Sequence, residues 1–345
     1  IRASYGELGA NFLNPYNFDA IAYGPIPYTV GGERYVTGRA AYLKSKDLKW
    51  ETAKTTDIGI ELGFFNNDLT LSLDYFVKKN VDLLAQIDLN LSSGQIFEIN
   101  SSREKPYVNT ASVKNTGWEF MMNYRKQLTK DFHIDATFNI ATLKNKVLSL
   151  GENVQPITSG AMSSYFNDAA SITMPGEAIG SFYGYKIDGV YASQHEINEQ
   201  GLTEVLGQKI ASIRPGDYRF RDQNGDGKIT SADLVLLGSG EPDFTGGLTN
   251  TVSYKNLSLS VAMQFSYGAT VFNANLHSLT SGRDGHNQIA EMNTKSWSPT
   301  LYDADGNVFF AGNNEAKYRM PGGVALNYCT SKMLEDGSFL RIGDI

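Results

Sequence analysis

The residues best spaced for chemistry lie between Asp222 and Asp233, in the run DQNGDGKITSAD. Asp222, Asn224 and Asp226 place oxygen side chains at loop positions 1, 3 and 5, and Gly227 allows the sharp bend at position 6. Lys228 offers a backbone carbonyl at position 7, and the Asp233 carboxylate closes the loop at position 12. A hard cation wants such an all-oxygen cage, so the expected ligand is a structural Ca2+ rather than a catalytic ion. The same run also reads as a metal-free Asx/Gly turn joining Tyr218-Arg219-Phe220 to Leu234-Val235-Leu236-Leu237. Asp303-Ala-Asp305-Gly306-Asn307 looks similar but lacks the acidic closing residue, and it reads as a plain turn.

Catalytic constellations do not emerge, and the chain is read as a non-enzyme. His195-Glu196 is followed by Ile197, Asn198 and Glu199, so it is not the two-histidine zinc helix. There is no phosphate loop, no dinucleotide glycine fingerprint and no Gly-x-Ser-x-Gly elbow. Glu241 and Asp243 pair two carboxylates, but spacing along one chain does not set the separation that glycosidase chemistry needs. Cys329 is the only cysteine, which rules out a disulfide framework and a thiolate metal site. A net charge of -7 without Lys/Arg clusters argues against nucleic acid as a partner. Tyr165, Tyr183, Trp297 and Tyr302, in long loops, offer flat faces for stacking on sugars or gripping peptides; packing of loop on loop explains them equally well.

The elements that carry these loops announce themselves by period. Ile58, Ile60, Leu62 and Phe64 alternate with Asp57, Gly59, Glu61 and Gly63; Asn66, Asn67 and Asp68 turn the chain, and Leu69, Leu71, Leu73, Tyr75 and Val77 alternate on the way back. The pattern recurs from Thr116 to about Lys144 around a turn at Leu128–Asp131, and from Phe244 to Tyr267 around Lys255-Asn256. Each arm has about the ten residues of a tilted membrane strand. Soluble sandwiches alternate in the same way, but they do not need a long loop at every second connection. Here loops of a few residues alternate with long ones: an irregular stretch from Leu8 to Glu51, a second from Asp82 to Asn115, an excursion over about 145–243, and another from Gly268 to about Leu334. Counting short strands at Ile1–Glu7 and Asp336–Ile345, eight strands are expected, forming an all-β, transmembrane antiparallel barrel segment with short periplasmic turns and long extracellular loops. No apolar run approaches the roughly eighteen residues of a membrane helix, so membrane residence would be as a barrel.

Particular strings resemble the SusC/RagA class of TonB-dependent outer-membrane transporters. LKWETAKTTDIGIELGFFNNDLTLSLDYFVKKNVDLL from Leu48, VKNTGWEFMMNY from Val113, GSFYGYKIDGVYAS from Gly180, PGDYRFRDQNGDGKIT from Pro215, PDFTGGLTNTVSYKNLSLS from Pro242 and LEDGSFLRIGDI from Leu334 look like its successive landmarks, in order across essentially the whole chain. The resemblance implies a barrel of about twenty-two strands, of which this chain is one part. It further implies an N-terminal plug and TonB box absent from this chain, a SusD-like lipoprotein lid, energy from TonB, outer-membrane lipid around the wall, and an oligosaccharide or peptide cargo. The start at Ile1 without an initiator Met fits the expectation of a piece of a longer protein. A passive porin, a surface glycan-binding β protein and a glycoside hydrolase are the alternatives.

Overall fold

The computed structural model describes residues 1–10, 22–40, 48–86, 107–151, 155–160, 169–281, 287–320 and 328–344. Its largest element is an eight-stranded sheet in which spatial order follows chain order. The strands are β1 (Arg2–Ala10), β2 (Glu51–Phe64), β3 (Leu69–Gln86), β4 (Tyr107–Gln127), β5 (Phe132–Ser149), β6 (Phe244–Tyr254), β7 (Leu257–Tyr267) and β8 (Phe339–Asp344). All seven pairings are antiparallel. The expected eight strands are therefore present and each sits beside its sequence neighbour.

The three tight turns share one rim. In the first, Phe65, Asn66 and Asn67 take φ of 54, 58 and 68°, the left-handed region that asparagine tolerates and phenylalanine rarely enters. The turn is held by its neighbour: the Arg125 N–H donates to the Asp68 carbonyl at 2.7 Å, and Lys126 pairs with the Asp68 carboxylate. At the other rim the strands run further than alternation suggests. β3 continues to Gln86 and β4 starts at Tyr107, because a bulge around Asp82, at φ 56°, shifts the register between Asn80 and Leu83 and breaks the period without ending the pairing. The stretch expected to be irregular between Leu8 and Glu51 contains a hairpin of Ala22–Val30 and Glu33–Ala40.

The pairing places like with like. Ile60, Leu73, Phe120, Ile140, Gly246 and Phe265 follow one another across six strands on one face, and Leu62, Leu71, Met122, Phe138, Leu248 and Met263 form the next row. Tyr75 and Trp118 are direct partners on this face, with ring centroids 4.7 Å apart. No protein layer covers the apolar face among the described residues: Leu259 is 57% exposed and Leu340 72%. The buried apolar side chains lie elsewhere, in residues 170–333 and in a small cluster of Ala111, Val113, Val147 and Leu150 at the loop rim. A contiguous apolar face across eight strands far exceeds the few hundred Å2 a soluble monomer ordinarily exposes. No helix among the described residues is long and apolar enough to cross a membrane, which says nothing of strands.

The opposite face is polar, and its charges interlock. Arg2 on β1 donates from Nε and Nη2 to Asp74 Oδ1 at 3.1 and 2.7 Å and pairs with Glu61, while the Ser72 hydroxyl donates to Asp74 Oδ2 at 2.9 Å. Asp74 is only 8% exposed because this network lies across Gly59, its partner on β2. A Cβ at Gly59 would come within 2.0 Å of Asp74 Oδ1 and 2.8 Å of Arg2 Nε. Gly6, on the same face, has open space around it. Gly59→Val is thus expected to displace the Arg2–Asp74 pair and to lower the midpoint of a denaturant titration of the folded barrel. Gly6→Ala should stay within ~0.5 kcal/mol. Equal effects of the two substitutions would remove this account of Gly59.

Candidate functional site

The long connections β5–β6 and β7–β8 both leave the rim opposite the tight turns, and they fold together. In the first, Ile157–Ser159, Ser171–Thr173, Ser181–Tyr185 and Leu234–Gly238 form a four-stranded sheet, and Ile187–Val190 pairs with Tyr218–Phe220. A helix, Gln194–Gln200, starts on the Ser193 hydroxyl and stops at Gly201 in the left-handed region. These pieces enclose a core that includes Tyr185, Tyr191, Ile197, Phe220 and Ile229. The second connection threads onto it: the Tyr185 N–H donates to the Cys329 carbonyl at 2.9 Å, Ile187 N–H to the Ser331 hydroxyl at 3.0 Å, and Met320 N–H to the Gly216 carbonyl at 2.9 Å. Burial raises the Tyr191 hydroxyl to about 12, as expected for a phenol inside such a core. The module also folds back on the wall, with Val147 N–H bonded to the Glu177 carbonyl and Gly176 N–H to the Val147 carbonyl.

The Asp222–Asp233 run forms a compact loop on this module. Asp222 accepts from the N–H groups of Gly225 at 2.7 Å and Gly227 at 2.9 Å, Asn224 Oδ1 from Asp226 N–H at 2.9 Å, and Asp226 from Lys228 N–H at 2.8 Å. Asp233 is fully buried and binds Gln223 N–H and Thr230 N–H, both at 2.8 Å, within a capping box that starts the turn Ser231–Asp233. The Gly227 N–H, followed by that of Gly225, holds the Asp222 carboxyl below its ordinary range. The donor set is all oxygen, which suits a hard cation. In this structure those oxygens accept from backbone amides, and among the described residues no group of three or more His, Cys, Asp or Glu side chains is gathered.

The aromatic candidates separate. Trp297 packs against the module core, its ring 2.7 Å from where a Gly216 Cβ would stand, and its buried Nε1 has no hydrogen-bond partner among the described residues. Tyr183 is half-buried in the strand Ser181–Tyr185, paired with Leu236. Tyr302 is exposed on a small hairpin with Val308–Phe310. Tyr165 lies outside the described residues. A cavity of about 30 Å3 beside Tyr218, Thr280, Arg319, Thr330 and Lys332 has room for water. Burial lowers the Lys332 ammonium there, with the Lys317 charge adding to the effect.

Sequence reasoning missed a wider hollow on the polar face of the wall, of about 490 Å3, lined by residues of β5, β6, β7 and Phe339 of β8. Its place on that face marks the polar side as the concave one. Alternation identified this face, but not which of its polar residues cross-strand register would gather.

A concave polar face, an apolar face without cover and tight turns on one rim are the anatomy of a barrel wall. Residues 1–170 match the family model described as TonB dependent receptor-like, beta-barrel. The chain belongs to the TonB-dependent receptor β-barrels. TonB-dependent receptor P3 of Formosa agariphila is 33% identical over 345 residues, covering 100% of this chain and 31% of that receptor. TonB-dependent receptor SusC of Bacteroides thetaiotaomicron is 28% identical over 283 residues, 79% of this chain and 25% of SusC. The structure of the RagAB peptide transporter superposes with a TM-score of 0.70 at 20% identity, over 99% of this chain and 33% of that one, and so shows a shared fold. The receptor chain spans about a third of the length of the relatives it matches.

One contact of the loop module titrates at low pH. Glu291 binds Lys295 Nζ at 2.9 Å, Tyr318 Oη at 3.0 Å and Lys317 Nζ at 3.2 Å, and these bonds, Lys295 first, lower its carboxyl from 4.5 to about 2. A depressed carboxyl stabilises above its unfolded value and loses that contribution as pH falls toward the folded one. The protection factors of the Lys317 and Tyr318 amides, whose N–H groups bond to the Lys295 carbonyl, should therefore fall between pH 4.5 and about 2 once intrinsic exchange is divided out, and Glu291→Gln should flatten that fall. Protection factors that fall equally in Glu291→Gln would exclude the bridge as the cause.

Proposed function

We propose that the chain forms part of the wall and loops of a TonB-dependent importer in the bacterial outer membrane. The observation that carries this reading is the two-faced sheet: eight strands in continuous pairing, with an apolar side that no described residue covers and a polar side opposite. In hydrocarbon every backbone polar group needs an internal partner, and such a ladder supplies one for every strand between its two edges, β1 and β8. The tight-turn rim would face the periplasm and the loop module the outside. An oligosaccharide or peptide would be held between the loops and a SusD-like lipoprotein lid, then released inward when TonB pulls on a plug. This is binding and gating, without bond chemistry.

A structural Ca2+ in the loop of Asp222, Asn224, Asp226, Lys228 and Asp233 belongs to the same proposal. Its support is the all-oxygen donor set and the ligand spacing. The expected result is one Ca2+ retained per receptor in equilibrium dialysis and lost in Asp226→Ala, with transport otherwise kept; no retention by the unsubstituted receptor removes the ion.

The import reading is tested with the full-length receptor in its own cells. Uptake of labelled oligosaccharide or peptide should stop when TonB is deleted and fall sharply when the lid lipoprotein is removed. Uptake that persists without TonB identifies a passive porin. A receptor that leaves the membrane fraction without detergent is a soluble surface protein, and turnover of the glycan by purified material makes it a hydrolase.

A further inference from the structure

We propose that Lys54, Lys79, Lys114 and Lys146, brought into one row by strand register, form a site on the outer surface of the wall for the phosphate of a membrane lipid headgroup. The proposal takes its leaflet, the outer one, from the import reading, which sets the loop rim outside the cell.

These lysines are scattered along the chain, and pairing gathers them. Lys54 of β2 lies opposite Lys79 of β3, Lys79 opposite Lys114 of β4, and Lys114 opposite Lys146 of β5. Each stands six residues from the apolar row of Ile60, Leu73, Phe120 and Ile140 with no bulge between, so the alternation of a strand puts all four on the apolar side of the sheet. The register shifts at Asn80/Leu83 and Ser112/Val113 come just beyond them. Lys79 and Lys146 are exposed, and Lys54 and Lys114 partly so. Exposed Lys144, opposite Thr116, stands one row nearer the apolar band.

The height suits headgroups. Ten residues separate Lys54 from Phe64 at the tight-turn rim. At about 3.3 Å per residue and a strand tilt of about 40°, this gives about 25 Å, the height of the apolar band of an outer-membrane barrel. The row therefore stands at the band's upper edge, above the paired rings of Tyr75 and Trp118, which belong at the membrane interface.

The charge calls for an anion. Like charges directly opposite one another destabilise a sheet, and here such pairs follow one another on strands about 4.8 Å apart. Lys54 is relieved by Glu7 of β1, whose Oε1 lies 3.1 Å from Nζ. Among the described residues no carboxylate pairs with Lys79, Lys114 or Lys146, and no acidic residue on this side of β2–β5 stands between their row and that of Ile60. Snorkelling to water would not bring ammonium groups side by side. A compact, multiply charged anion rewards it, and a phosphomonoester carries about −1.5 to −2 charge at neutral pH. Lys79 to Lys146 span two strand spacings, about 10 Å, which flexible four-carbon stems can close onto one headgroup. With its phosphate on the amines, a lipid would lay its acyl chains along Val77, Tyr75 and Trp118 just below, an attachment that free phosphate lacks.

The test uses the full-length receptor purified in detergent and titrated with phosphatidic acid, a phosphomonoester lipid, or with phosphatidylcholine of the same acyl chains, bound lipid being read by native mass spectrometry. The receptor should retain phosphatidic acid in preference. Lys114→Gln, at the centre of the row, should weaken that binding about fivefold, and Lys79→Gln, Lys114→Gln and Lys146→Gln together by more than about tenfold, as lysines facing an anionic surface do. Replacing the same three by arginine, which keeps the charge, should preserve it. Lys130→Gln with Lys255→Gln, at the tight-turn rim, should leave it within about twofold. Equal retention of the two lipids overturns the proposal, as does an equal loss in the tight-turn variant. Displacement of the lipid by excess inorganic phosphate also overturns it, because the row would then be a site for the free ion. A receptor that stays in solution without detergent overturns the import reading instead, and the leaflet assignment with it.

Discussion

Everything in this barrel wall depends on one constraint: the backbone N–H and C=O groups of its strands must pair with one another wherever the apolar face runs, because no other partner is present there. The pairing respects this. From Thr52 to Phe64 against β3, and from Val113 to Gln127 against β5, register is unbroken over the whole apolar zone. The shifts at Asn80/Leu83 and Ser112/Val113 come only near the loop rim, where the small core of Ala111, Val113, Val147 and Leu150 takes over and the loop module folds back. From β2 to β7 irregularity is thus confined to the end where water or packed protein can satisfy it, and the one mid-wall shift falls on the last pair, between Ala262 and Met263 against β8.

The same constraint separates two kinds of stabilisation along one chain. The wall owes its order to hydrogen-bond ladders and cross-strand pairs such as Tyr75 with Trp118, and its polar side is tied by short links such as Arg2 to Asp74. The loop module is organised like a small soluble domain, with Tyr191, Ile197 and Ile229 buried at its centre. The wall is thus a hydrogen-bonded frame, and the module packed on its loop rim is held by its own core.

The wall was legible because a strand with one wet face writes its period into the chain. Ile58 to Phe64 and Leu257 to Phe265 alternate without a break, and their arms and turns came out as expected. The period failed where geometry did. Asp82 at φ 56° hides the continuation of β3 in a bulge, and Pro25 and Pro27 hide a strand that is tolerated because it belongs to a two-stranded hairpin. The joining of the two loop excursions through Tyr185, Ile187, Trp297 and Cys329 could not be read at all, since contacts across more than a hundred residues leave no local pattern. Trp297 shows the cost: a tryptophan offered for ligand stacking spends its ring on Gly216 and the module core.

The direction of the apolar face is tested most directly by spin labels introduced at Ile60, Leu73, Phe120 and Leu259, and at their neighbours Glu61, Ser72, Met121 and Ser260, in the full-length receptor reconstituted in lipid vesicles. The account predicts that the first set collides with dissolved oxygen and is shielded from a water-soluble nickel chelate, and that the second set is shielded from oxygen in comparison. Labels of the first set screened from both reagents would place them inside protein and contradict the membrane wall.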